Sequence, residues 1–109
     1  MASEVLKRSL VATLSNSEQV LINGVDGHTY TILGMTFCET AGNSEELDVY
    51  IDENGAGTDY YILKNQAIGA KETFEYTGRI VIDDTDHLCA ITASSADIDC
   101  VITYLDQTR

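Results

Sequence analysis

Between positions 97 and 106 the chain alternates. Ile98, Cys100, Ile102 and Tyr104 fall on one parity, and Asp97, Asp99 and Thr103 on the other. A period of two is that of a β-strand with one buried face. Val101 and Leu105 interrupt the polar parity, so cover on both faces is expected there, as in a central strand of an antiparallel sheet.

The same alternation recurs upstream. Leu10, Ala12 and Leu14 alternate with Ser9, Val11 and Thr13 and predict a first strand that ends at the polar run from Ser15 to Glu18. Val20-Leu-Ile22 is a short apolar run closed by Asn23-Gly24 and Asp26-Gly27, both turn signals. From Thr29 to Glu39, Leu33, Met35 and Phe37 share one face and Thr36 and Cys38 the other, with a bulge or bend expected at Gly34. In the stretch from Glu46 to Asp52, Leu47, Val49 and Ile51 are expected inside, and Glu46, Asp48, Tyr50 and Asp52 on a solvated face. A glycine-rich loop at 52–59 leads to a return strand at Tyr60-Tyr-Ile-Leu63, and a segment from Ile68 runs on to Phe74 and Tyr76. Arg79-Ile-Val-Ile82 and Leu88 to Ala93 follow, with the last hairpin closing across Ser94 to Asp97.

About eight short strands and no helical periodicity predict an all-β fold, an antiparallel β-sandwich of jelly-roll-like kind. With 109 residues the chain is expected to hold one sandwich domain over 9–109, preceded by an N-terminal arm at 1–8. The arm carries Val5 and Leu6 beside Lys7 and Arg8, the only adjacent basic pair. Proline is absent, so edge strands must be protected by charge, bulges or contact with other subunits.

Charge narrows the partners. Eighteen acids against six bases give −12, which repels nucleic-acid phosphates and anionic lipid, so neither nucleic acid nor membrane is expected as a partner. The first residues place Glu4 before the basic pair and no long apolar run after it, unlike a secretory signal; folding in the cytoplasm is expected. Cys38, Cys89 and Cys100 are odd in number, lack metal or redox spacing and sit in apolar segments, the pattern of buried free thiols.

No constellation calls for catalysis or a cofactor. The loop from Asp52 resembles a calcium loop only at Asp52, Asn54 and Gly57, because Ala56 and Leu63 stand where ligands are required. Asp83, Asp84, Asp86 and His87 could face a cation, but acid-rich turns form for backbone reasons alone. No metal is expected. His87 and Cys89 are two apart on one strand and compete with the core rather than form a nucleophile pair. Tyr50, Tyr60 and Tyr61 flank the 52–59 loop and are candidates for a ligand or inter-subunit surface.

Six short stretches together resemble a group of small bacteriophage virion accessory proteins built as one β-sandwich, of the head decoration or cement type. They are Leu14-Ser-Asn-Ser-Glu-Gln-Val20, Thr29-Tyr-Thr-Ile32, Ile80-Val-Ile82, Asp86-His-Leu88, Ala93-Ser-Ser-Ala96 and Val101-Ile-Thr-Tyr-Leu105. The resemblance implies a virion structural protein without catalytic residues, made in the host cytoplasm. It further implies contacts with the major capsid protein or other virion proteins, and a homo-oligomer, trimer or dimer. Val5, Leu6, Lys7 and Arg8 are then the expected contacts, the apolar pair for burial and the basic pair for acids on the partner. A tail- or capsid-attached adhesion module binding host glycans through Tyr50, Tyr60 and Tyr61 is the alternative.

Overall fold

The computed structural model describes residues 3–94 and 97–109, so the turn of the last hairpin, at Ser95 and Ala96, lies outside the described residues. Nine strands build two antiparallel sheets: β1 (Ser3–Leu14), β2 (Gln19–Asn23), β3 (His28–Glu39), β4 (Glu45–Asp52), β5 (Asp59–Ile68), β6 (Thr73–Tyr76), β7 (Ile80–Asp83), β8 (His87–Thr92) and β9 (Ile98–Thr108). A single 3-10 turn, Glu53–Gly55, is the only helical element among the described residues. One sheet runs β1-β9-β3-β6, with β7 also paired to β3, and the other runs β2-β8-β4-β5. The expected sandwich is the fold found, with nine strands rather than eight. Three of them, at 12, 12 and 11 residues, are long rather than short.

The closing strand is the centre of its sheet, flanked on its two sides by β1 and β3. Its apolar parity supplies Ile98, Cys100 and Ile102 to the core, where they meet Ile32, Met35 and Phe37 of β3. Leu47 and Val49 of β4, with Leu88 and Ala90 of β8, come from the opposite sheet. All of these side chains are essentially inaccessible to water, which supplies the main driving force for closing the two sheets on each other.

Bulges correct several expectations. Register slips between Val11 and Leu14, where Thr13 takes left-handed backbone at φ 51. One extra residue reverses the side-chain parity. Leu14 is therefore buried while Leu10, expected on the same face, is exposed. A second slip between Ile32 and Gly34 puts the expected bulge in β3 and lets Ile32 and Met35 both point inward, so Leu33 leaves the face it was expected to share with Met35 and Phe37. Val101, expected under cover, is exposed. In β4, Tyr50 and Asp52 keep the outward parity, yet both are buried; the loop before β2 and the neighbouring strand β5 cover them.

Residues 3–8, expected as an arm, continue β1 in unbroken register with β9, from Ser3 opposite Thr108 to Arg8 opposite Thr103. Two anchors fix loops elsewhere. Glu39, buried at the end of β3, accepts backbone N–H bonds from Ala41, Gly42, Asn43 and Lys71. These donors, the Lys71 N–H foremost, hold its carboxyl below the ordinary value against the opposing effect of burial. Gly24 donates to the Asp86 carbonyl at 3.1 Å, and a Cβ there would lie 2.2 Å from that oxygen, so only glycine permits the approach.

Candidate binding surface

Residues opposite one another in an antiparallel ladder share a face, so the register maps the outer face of the five-stranded sheet row by row. Val81, Thr31, Leu105 and Leu6 form one row across β7, β3, β9 and β1. Gly34, Thr103 and Arg8 form the next, and Glu75, Thr36, Val101 and Leu10 the one after. Leu6 is 66% exposed, Leu10 60%, Val81 55% and Val101 40%. Acids are confined to the margins: Asp83 and Glu4 in the row beyond Leu6, Glu75 at the β6 edge, and Asp99 in the row beyond Val101. Between those margins the face carries leucine, valine and threonine, with the cation Arg8 on the edge strand β1, on a chain of net charge −12. A shallow depression of about 210 Å³ opens beside Gly34, walled by Thr36, Tyr76, Val101 and Thr103.

The four expected contact residues divide between the two faces of β1. Leu6 and Arg8 stand on this outer face, and Arg8 has no ion pair among the described residues. Lys7 points the other way, where its Nζ lies 2.8 Å from the buried Asp106 carboxylate. Val5 shares that inner parity and is half exposed. Asp106 also meets His28 Nδ1 at 2.7 Å, and His28 stacks on Tyr30. Burial alone would raise the Asp106 carboxyl; the hydrogen bonds from Lys7 and His28 outweigh it and leave the group below its ordinary value. Sequence reading missed this cluster because Asp106 lies 99 and 78 residues from its partners. The available signal was an acid on the buried parity of the closing strand.

The tyrosines do not form one surface. Tyr50 is buried, opposite Tyr61 with ring centroids 5.1 Å apart, and its hydroxyl donates to Glu18. Tyr61 is exposed and carries Lys64 Nζ over its ring at 4.4 Å. Tyr60, also exposed, lies opposite Ile51 on the other face of the strand pair.

Beside Tyr50 the donor atoms of Glu18, Asp52 and Cys89 lie within 4.8 Å of one another. Asp52 faces Asp59 across the β4–β5 hairpin. Asp59 is exposed, and its carboxyl is raised by the loss of nearby water and then by Asp52, while burial and the charges of Glu18, Asp52 and Asp59 push the Cys89 thiol up to about 12. At neutral pH that thiol is protonated, a poor nucleophile and a poor ligand. All three cysteines are free; Cys89 and Cys100 are buried and Cys38 is partly covered.

The acid-rich turn at 83–87 is occupied by the protein itself. Asp83 and Asp84 hold the Arg109 guanidinium, Asp84 accepts the Gly27 N–H, and Asp86 accepts the Asn54 N–H. Asp52 accepts the Gly57 N–H at 3.1 Å, which closes the 52–59 loop as a hairpin tip.

The sequence matches no protein-family model, and no curated protein matches it. Similar folds are found among solved structures. A chain of the Bacillus endospore appendages, disulfide-linked pili, aligns with 99% of this chain and 89% of its own length, at TM-score 0.57 and 8% identity. A chain from the acid-stable capsid of Helicobacter pylori bacteriophage KHP30 aligns with 100% of this chain and 99% of its own, at TM-score 0.55 and 13% identity. A chain of the T13 IBDV viral particle aligns over 96% of this chain but only 31% of its own, at TM-score 0.54 and 12% identity. At these identities the likeness is one of fold: this chain has the all-β architecture found in these particle and filament subunits.

Proposed function

We propose that the chain is a non-catalytic virion structural protein, and specifically a capsid decoration or cement protein that stabilises the head by non-covalent contacts. The observation that carries this reading is the outer face of the five-stranded sheet, free of acids between its margins, exposing Leu6, Leu10, Val81 and Val101 and bearing Arg8 on its edge strand, on a strongly acidic chain. Exposed apolar faces rimmed by charge mark protein contacts, and a cation on the edge strand suits an acidic group on the neighbour. Support also comes from the fold shared with a phage capsid chain over its whole length and from the stretches that resemble phage accessory proteins. The strand orders β1-β9-β3-β6 and β2-β8-β4-β5 support a jelly-roll-like description. Many weak copies on one particle supply the holding strength.

Heads lacking the protein, incubated with it and sedimented, test the reading. Wild-type chain is expected to co-sediment, and Leu10→Asp combined with Val81→Asp to remain in solution while melting like wild type. Failure of the wild-type chain to bind, or undiminished binding by the variant, overturns it. The second reading is an adhesion module that binds host glycans around the edge strand β5, on whose two faces the exposed Tyr60 and Tyr61 stand. It requires a glycan-array signal that falls when both become alanine; no such signal removes it.

A further inference from the structure

We propose that the free edge of β1 pairs with the same edge of a second copy, across a two-fold axis at Leu6, to form an antiparallel homodimer. The inference goes beyond the virion reading and does not depend on it.

Four strands or strand groups end the two sheets, and three are unsuited to edge pairing. β6 and β7 have four residues each, β2 has five with a register slip, and β5 is broken by slips and by Asn65 at φ 52. β1 differs. From Ser3 to Val11 its register with β9 is unbroken, its other side faces no strand of its own sheet, and it carries no proline. From Ser9 onwards that side is partly occupied, since the Ser9 hydroxyl donates to the Leu21 carbonyl at 2.8 Å. Ser3 to Arg8 are exposed, and the N–H and C=O groups not used by β9 are a template for another strand.

The side chains select both occupant and register. Pairing that keeps the outer faces of both copies on one side sets residues of the same parity opposite each other. Centred on Leu6, it places Leu6 against Leu6, Glu4 against Arg8 twice, and Val5 against the stem of Lys7 twice. The neighbouring registers do worse: centring on Lys7 opposes two lysines, centring on Arg8 opposes two arginines, centring on Glu4 opposes two glutamates, and centring on Val5 leaves Glu4 opposite Leu6. Cross-strand pairs of opposite charge favour pairing and like pairs oppose it, so the edge is complementary to itself in one face-preserving register. Arg8 is available for this, having no ion pair among the described residues, and Glu4 is exposed, accepting a hydrogen bond from the Gln107 amide at 3.1 Å. Such a contact is isologous and closes on itself. It joins two five-stranded sheets into one and makes the apolar outer faces continuous through the paired Leu6 side chains.

Sedimentation velocity of the full chain tests this, over about 10 μM to 1 mM in salt of about 0.15 M, which screens the repulsion between two acidic bodies. Wild type is expected to shift from monomer to dimer with concentration. Glu4→Arg alone and Arg8→Glu alone each set like charges opposite in both pairs and are expected to stay monomeric, with unchanged circular dichroism. An equimolar mixture of the two variants restores opposite charges at both pairs and is expected to dimerise. Amide hydrogen exchange of wild type supplies a readout without substitution: protection of Val5 to Lys7 is expected to rise with concentration. A wild-type chain that stays monomeric, single variants that dimerise as well as wild type, or a mixture that does not recover association overturns the proposal.

Discussion

Asp52 and Asp59 stand directly opposite each other where β4 and β5 meet the 52–59 loop, with Glu18 close by. No cation pairs with any of these three among the described residues. The cost appears in Asp59, an exposed residue whose carboxyl is raised above its ordinary 3.8 by the loss of nearby water and by Asp52. A raised carboxyl favours the protonated fold. Its contribution is therefore harmless below pH 3.8 and turns unfavourable as pH climbs through the raised value. Asp59→Asn is expected to raise Tm at pH 7, on the order of 2 °C, by removing a like-charge cross-strand pair. In thermal melts at pH 3 the two proteins should coincide, and a gain that persists there would mean the charge is not its cause.

At the scale of elements, β1 decides most of what the surface can do. Its first half has no opposing sheet to bury against, and it is held by the ladder to β9 and by Lys7 on Asp106. Deleting residues 2–8 removes six ladder positions and leaves the buried Asp106 with His28 alone. A fall in Tm of roughly 5–10 °C is expected from lost hydrogen bonds and a poorly paired buried carboxylate; an unchanged Tm would mean the segment adds nothing to the fold. Alternation made the strands legible in sequence, and β-branched runs between glycine and asparagine turns placed most of their ends. Which way a side chain faces was less legible. Thr13 looks like any strand threonine, yet its left-handed backbone reverses Leu10 relative to Leu14 and turns an expected core leucine into a surface one. Leu6 and Arg8 were legible as members of the run that sets two apolar residues beside the one adjacent basic pair. Their place in an apolar field with Val81 and Val101 was not, because it depends on pairing across four strands.

At the scale of the molecule, two surfaces of different chemistry sit on one body of 47 × 27 × 20 Å. The exposed face of the four-stranded sheet carries the acids around Asp52 and the tyrosine–lysine stack of Tyr61 and Lys64. The outer face of the five-stranded sheet exposes Leu6, Leu10, Val81 and Val101, with Arg8 on its edge strand. A body so divided is what the proposed decoration role asks for, attachment by one side and solvation by the other. The most direct measurement is a cryo-electron microscopy map of the particle to which the decoration reading assigns this chain. The decoration reading expects density for the sandwich at about one copy per capsid subunit, with Leu6, Leu10, Val81 and Val101 turned onto the capsid and Tyr61 facing solvent. Virions without the chain, or a chain seated through its tyrosine face with the apolar sheet exposed, would contradict it.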